Sequence, residues 1–383
     1  MSEQQEKKPN IFLRLLAFLV TLALILGALA LVVYRDRLNL DAVKRWLSFR
    51  KVETGDTGEA APFTHAGGDK LSVEYLEDGV VMTSASGVHY YSFSGEPYAE
   101  EVVTMENPVL CAGSRAAVAD DVGGQSLFVL RGKSETMDLS LDSGELLSAR
   151  VNDSGYLAVV TLYNAGGEKV IQINLSSTFL VDAAPSPDGR MVAAVAMDSD
   201  GGSFRSRVLF YQVNQKEPSL EVSLGGSSVL DMRYTDSGLW VLGESSLMIV
   251  SPKDGSVQTY SFGRSYLKGC DLSGDGFALV LLGRYRAGSA DQAITVNAQG
   301  EQQAVLSLGG QVLDFSAGGS YCAVLTGTGL TVYDPDMEQA SSMQSTMGAR
   351  RVDMGADGTA VLADSQPGCI SRADLPLSPA PQF

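Results

Sequence analysis

Pro185-Ser-Pro-Asp-Gly189-Arg-Met-Val-Ala-Ala-Val195 is the stretch on which the fold turns. A polar turn ending in glycine opens into a run of small and branched apolar residues. Asp-Gly supplies the positive φ that a tight hairpin needs, and the run that follows is short, with no helical period. The same phrase recurs at Tyr75–Met82, Leu110–Val118, Val151–Val160, Tyr234–Leu242, Leu272–Val280, Phe315–Val324 and Met354–Leu362. Its glycines, from Gly79 to Gly358, are spaced by about 40 residues. A second phrase, an alternating strand and another turn, follows at Val88–Gly95, Leu247–Gly255, Ile294–Gly300 and Leu330–Asp336. Short strands at even spacing with this period predict an all-β chain, a propeller of four-stranded blades. Eight phrases predict eight blades over residues 62–375; seven blades, with one weak phrase misread, is the alternative. The eighth repeat is short of a strand, because the chain turns to Leu375-Pro-Leu-Ser-Pro-Ala-Pro381 after Asp374. Proline cannot donate to a central ladder, so Pro62–Ala66 is expected to complete the last blade and close the ring.

Outward from the repeat, the ends differ in kind. Leu15 to Val33 is an uncharged apolar run long enough, as a helix, to cross the hydrocarbon core of a bilayer. The reading is a basic tail at 1–10, a transmembrane helix at 11–34, a juxtamembrane helix and linker at 35–61, and a proline-rich tail at 376–383. A cleaved signal peptide is the rival, since Ala28-Leu29-Ala30 has the form of a cleavage site, but the apolar run continues past it. Asn39 can cap the short helix, with Leu40, Val43 and Leu47 on one stripe. More cations follow the span than precede it, which by count places the propeller in the cytoplasm. The N-terminal basic tail and apolar stretch argue for an extracytoplasmic propeller on a single-pass anchor, and that is the expectation here.

The formal net charge is −17. Residues 1–53 carry +4 and the remainder −21. So acidic a body repels phosphate backbones, which excludes nucleic-acid binding.

The Ser186–Gly189 turn with Arg190-Met-Val-Ala193 resembles the strand–turn–strand of WD-repeat and quinoprotein-like propellers, and Leu330-Thr-Val-Tyr-Asp334 resembles their next strand. The order of basic tail, single span, Leu38-Asn-Leu-Asp-Ala-Val-Lys-Arg45 and degenerate propeller resembles a bacterial membrane-anchored family, domain of unknown function 5711. That resemblance covers nearly the whole chain. It implies an anchored, surface-facing propeller and supplies no catalytic residues.

Candidate chemistry is sparse. The two histidines, His65 and His89, stand in no metal spacing, and His89 alternates within a strand. Gly132-Lys133-Ser134 lacks the upstream glycine of a phosphate loop. Asp198-Ser-Asp-Gly-Gly202 offers oxygens for calcium but lacks the distal glutamate, and reads better as a long hairpin tip. Asp153, Asp188, Asp236, Asp275 and Asp357 precede their turn glycines, where turn formation explains them; gathered at one end of a ring they would also form an acidic rim. Cys111, Cys270, Cys322 and Cys369 form no Cys-x-x-Cys and read as free thiols. No catalytic, cofactor or metal residues are therefore assigned. The expected function is a noncatalytic binding or scaffold module at the cell surface. Its partners would be the bilayer through Leu15 to Val33 and a protein, peptide or wall component on the loops Asn164–Gly167, Asp198–Arg207 and Arg284–Asp291. The alternatives are a channel-site enzyme (a lyase or quinone-dependent dehydrogenase) and a membrane-associated sensor or assembly factor.

Overall fold

The computed structural model describes residues 63–65 and 70–373, apart from 78, 134, 141–144, 155–156, 159–160, 164–168, 174–178, 201–202, 345, 347 and 364–368. The chain divides into two compact units, Met1–Ser48 and Phe49–Phe383, and every described residue belongs to the second.

The described strands form eight four-stranded antiparallel sheets, and each sheet carries one of the eight repeats. Sheet 1 is Ser72–Leu76, Gly79–Ser84, Gly87–Ser92 and Pro97–Glu101. Sheet 2 is Pro108–Ala112, Ala116–Asp121, Leu127–Arg131 and Glu135–Asp138. Sheet 3 is Arg150–Val151, Leu157–Ala158, Thr161–Tyr163 and Lys169–Gln172. Sheet 4 is Phe179–Pro185, Met191–Asp200, Ser203–Gln212 and Leu220–Gly225. Sheet 5 is Val229–Thr235, Gly238–Gly243, Ser246–Val250 and Val257–Ser261. Sheet 6 is Tyr266–Asp271, Phe277–Gly283, Gln292–Asn297 and Gln302–Ser307. Sheet 7 is Val312–Gly318, Tyr321–Thr326, Gly329–Tyr333 and Gln339–Met343. Sheet 8 takes Arg351–Met354, Ala360–Ala363 and Cys369–Ala373, and its fourth strand is Phe63–Thr64 from the other end of the unit. The repeat glycines fall between the first and second strands of their sheets or, at Gly79 and Gly238, on the first residue of the second strand; Gly155 lies outside the described residues. Gly189, at φ 67°, shows why the turn needs glycine.

Burial follows strand position. Second strands are buried on both faces, as Gly238–Gly243 and Phe277–Gly283 show. Fourth strands alternate, as in Leu220–Gly225, and first strands are mostly half-buried. A sheet apolar on both faces must be covered on both faces, and here its neighbours cover it. Val208 and Phe210 of sheet 4 pack with Met232 and Val241 of sheet 5. Trp240 and Ile249 of sheet 5 pack with Val280 and Ile294 of sheet 6. Equivalent clusters join sheet 6 to 7, 7 to 8, 8 to 1, 1 to 2, 2 to 3 and 3 to 4, so the succession closes on itself as a β-propeller. Each buried aliphatic or aromatic side chain contributes about 1.5–3 kcal/mol, whereas an exposed ion pair contributes about 0–1 kcal/mol. The apolar clusters therefore hold the ring, and surface pairs such as Arg284–Asp291 at 3.8 Å do not. Close approach sharpens the fit at Gly318, where a Cβ would lie 2.0 Å from the Met354 carbonyl oxygen of the next sheet.

The expected closure is present: Phe63 pairs with Ile370 and Thr64 with Cys369. Phe63 also packs on sheet 1, its ring 5.5 Å from that of Tyr91. The expected transmembrane helix at 11–34, the juxtamembrane helix and linker at 35–61 and the tail at 376–383 lie outside the described residues. Among the described residues no helix is long and apolar enough to cross a membrane.

If Phe63–Thr64 latches the ring, removal of residues 60–68 lowers the melting temperature by about 5 °C or more, measured by thermal denaturation. An unchanged melting temperature refutes the latch.

Candidate functional site

The first strands of neighbouring sheets lie side by side and share one direction, as the parallel bridge between Gly274 and Gly319 marks. They line the central channel. Their polar side chains make a second set of bonds between sheets, here carboxylate to backbone amide. Asp271 of sheet 6 accepts from the Ala317 amide of sheet 7 at 2.7 Å. Asp314 of sheet 7 accepts from the Val352 amide of sheet 8 at 2.9 Å, and Asp353 of sheet 8 from the Tyr75 amide of sheet 1 at 2.7 Å. Ser316 adds a hydroxyl donor to Asp353 at 2.9 Å. Glu74 stands among these groups. Burial, then Asp353 and Asp271, push its carboxyl well above the usual carboxylate range, while Arg233 works the other way. Burial raises Asp353 in the same direction.

A shared direction gives the ring two distinct ends. The upper end holds the starts of the first strands and the links between second and third strands. The lower end holds the repeat turns, so Asp188, Asp236, Asp275 and Asp357 gather there. Their turn role is visible: Asp188 accepts from the Arg190 amide at 3.0 Å and Asp357 from the Thr359 amide at 3.0 Å. Asp153 instead accepts from the Ser114 amide of the preceding sheet at 2.7 Å.

At the upper end, between sheets 2 and 5, lies a cavity of about 380 Å³. Its charged centre is Arg150, whose Nη2 donates to Asp182 at 2.9 Å and Asp231 at 2.7 Å. Burial lowers the Arg150 pKa, but the two carboxylates outweigh that effect and the net shift is upward. Ser148 donates its hydroxyl to Asp182. Asp120 completes the polar wall. It is fully buried, and burial lifts its pKa to about 7, with Arg150 opposing and Asp182 and Asp121 adding to the rise. Cys111 lines the same cavity with its thiol pushed up by burial. Around the mouth, Leu147 is 59% exposed and Leu230 55%.

The residues singled out from sequence are placed as follows. His89 is buried, its pKa lowered by burial, with Nδ1 3.6 Å from Glu100; His65 is buried in the strand-closing segment. Asp198 lies on the long sheet 4 hairpin and faces Arg207 at 3.5 Å. Lys133 stands 5.0 Å over the Tyr98 ring, and Ser134 lies outside the described residues. Cys111, Cys270 and Cys322 are free thiols, Cys322 pushed up to about 12 by burial; nothing is described of the Cys369 side chain. Of the three loops expected to face a partner, Asp198–Arg207 and Arg284–Asp291 share the upper end, and Asn164–Gly167 lies outside the described residues. Among the described residues no group of three or more His, Cys, Asp and Glu is placed to hold a metal. Sequence reading missed Asp120, Arg150, Asp182 and Asp231. A signal for the last two exists: Val-Leu-Asp recurs at 229–231 and 312–314, with Leu-Val-Asp at 180–182, at irregularities in register that re-aim the aspartate.

The raised carboxyls set a pH dependence. In the folded state Asp120 binds its proton more tightly than in the unfolded chain. Its contribution to stability is therefore greatest below the ordinary carboxylate range and falls as pH rises toward about 7. Asp120→Asn removes this contribution. The variant is expected to exceed the wild type at about pH 8 by about 2–4 kcal/mol. The gap closes toward about pH 4, as read by denaturant unfolding across the range.

Comparison with solved structures supports the fold. BamB from Moraxella catarrhalis superposes with a TM-score of 0.50 at 14% identity, covering 85% of this chain and 99% of that one. The computationally designed Ika8 protein superposes with a TM-score of 0.58 at 11% identity, covering 81% and 97%. At such identities the likeness is one of fold. No curated protein matches the chain. Residues 59–352 match the family of unknown function DUF5711, which takes in most of the chain, and the chain belongs to that family.

Proposed function

We propose that the chain is a membrane-tethered, noncatalytic binding module whose eight sheets act as eight blades and whose upper end docks a protein partner. One observation carries this reading. Nearly all the exposed large apolar side chains among the described residues stand at that end: Val102, Val109, Leu147, Phe179, Phe204, Leu230, Tyr266 and Tyr285. Phe204 is 67% exposed, on the third strand of sheet 4 beside its hairpin tip, and Tyr285 is 72% exposed, on the link between the second and third strands of sheet 6. Scattered apolar residues need no explanation, but a set gathered at one end of an acidic body marks an interaction surface. Arg264, Lys268, Arg284 and Arg286 flank Tyr266 and Tyr285 in the chain, so the partner fitting this part of the end combines apolar and acidic side chains.

The tether is the apolar run Leu15 to Val33, with the propeller on the outer side of the membrane. Protease added to intact cells is expected to digest the propeller; digestion only after lysis overturns the outer placement.

The docking reading predicts that a Phe204→Ser, Tyr285→Ser, Leu230→Ser triple variant folds with an unchanged circular-dichroism spectrum. It should lose the proteins that co-purify with the wild type in mild detergent. Substitutions of Asp188, Asp236 and Asp275 at the lower end should retain them. Loss from the lower-end variant alone overturns the assignment.

A further inference from the structure

The cavity holds a carboxyl group that the described protein does not satisfy. Asp120 has 0% exposure, and neither Oδ1 nor Oδ2 meets a hydrogen-bond donor. Its place on Ala116–Asp121 otherwise suits an aliphatic residue, since Ala116 and Val118 on the same strand face pack into the cluster with sheet 3. A buried, unpartnered acid costs stability that an aliphatic side chain would not. Asp120 lines the cavity beside Arg150, Asp182 and Asp231. Arg150 is already shared between two carboxylates, so that trio carries one net negative charge before Asp120 is counted. Asp231 keeps a third of its side chain exposed toward solvent. Apolar side chains Val109, Leu147 and Leu230 surround these groups.

We infer that this cavity binds a primary ammonium group on an apolar stem, with Asp120 and Asp231 as carboxylate partners and Val109, Leu147 and Leu230 against the stem. An anion would meet net negative charge, and a neutral apolar ligand would leave Asp120 unsatisfied. An ammonium carries three donors on a compact charge, which suits an acid whose two oxygens are both unused. The volume falls within the range of small-ligand sites, about 300–1,000 Å³. The inference concerns the cavity's ligand and does not rest on the docking of a protein at the upper end.

Binding has a proton signature. The groups around Asp120 are Arg150 and Cys111 from the first strands of sheets 3 and 2, Asp182 and Asp231 from those of sheets 4 and 5, and its neighbour Asp121. Near neutral pH Asp120 is partly protonated, because burial outweighs the help from Arg150. An arriving ammonium favours the ionised acid, so the carboxyl proton leaves to buffer and the carboxylate–ammonium pair forms.

The test is calorimetric titration of the full-length chain in mild detergent near pH 7. The probes are n-hexylammonium, its uncharged counterpart n-hexanol, and a capped peptide with one lysine among leucines. The ammonium is expected to bind about tenfold or more tightly than the alcohol and to release a fraction of a proton, read by comparing buffers of different ionisation heat. Asp120→Asn should weaken the ammonium by about tenfold or more and abolish the proton release. Tighter binding of the peptide supports the site with a lysine side chain as its source; tighter binding of hexylammonium supports it with a free amine. Equal binding of ammonium and alcohol, undiminished affinity in Asp120→Asn, or no binding of any probe up to millimolar concentration overturns the inference. If Asp120→Asn fails to fold, the comparison with hexanol and the proton release of the wild type decide.

Discussion

The structure depends on one constraint: a sheet that is apolar on both faces has no face to give to water. Most second strands, Gly238–Gly243 for instance, are buried along their whole length and can stay so only if a neighbouring sheet stands on either side. An open stack would leave two terminal sheets uncovered. Closure removes both ends at once. Val361 and Ala363 of sheet 8 meet Val80 and Met82 of sheet 1, and the N-terminal Phe63–Thr64 completes sheet 8. Apolar packing is non-directional, so it does not by itself set how far one sheet slides past the next. The carboxylate-to-amide bonds of Asp271, Asp314 and Asp353 supply that register at the channel wall.

The same arrangement explains the unusual acids. Inner strands converge, so side chains that would be exposed on an isolated sheet are crowded together and lose water. Where an amide or a guanidinium waits across the gap, the acid becomes a clasp, as at Asp314 or at Asp182 with Arg150. Glu74 and Asp120 are pushed up by burial above all, the one among further acids and the other with neither oxygen bonded. Asp120 differs from Glu74 in lying against a cavity at the upper end, among apolar side chains. The two ends of the ring thereby acquire different chemistry from one repeat: turn aspartates below, exposed aromatics and aliphatics above.

Much of the fold was legible because turn chemistry is local. Gly189 and Gly276 need positive φ, and a residue type that meets that need is visible in any single repeat. The deficit of the last repeat was legible too, since prolines after Asp374 bar a central strand and Pro62–Ala66 offered the missing one. The candidate site was not. Asp120 stands at the end of a strand that reads as ordinary core, and Arg150, Asp182 and Asp231 belong to three different repeats. The repeat-turn aspartates Asp188 and Asp357 instead accept from amides of their own turns.

By itself the chain's repeat determined short strands, tight turns, a period of about 40 residues and an apolar body that must cover both faces of each sheet. These properties depend on neighbours in sequence and on composition. Tertiary structure alone decided which side chains meet across the channel. Arg150 and Asp231 are 81 residues apart and come within 2.7 Å only because the sheets curve into a ring that brings their first strands together. No spacing rule within one repeat encodes that distance, since it is set by the angle between packed sheets and by the irregularity that turns Asp231 inward.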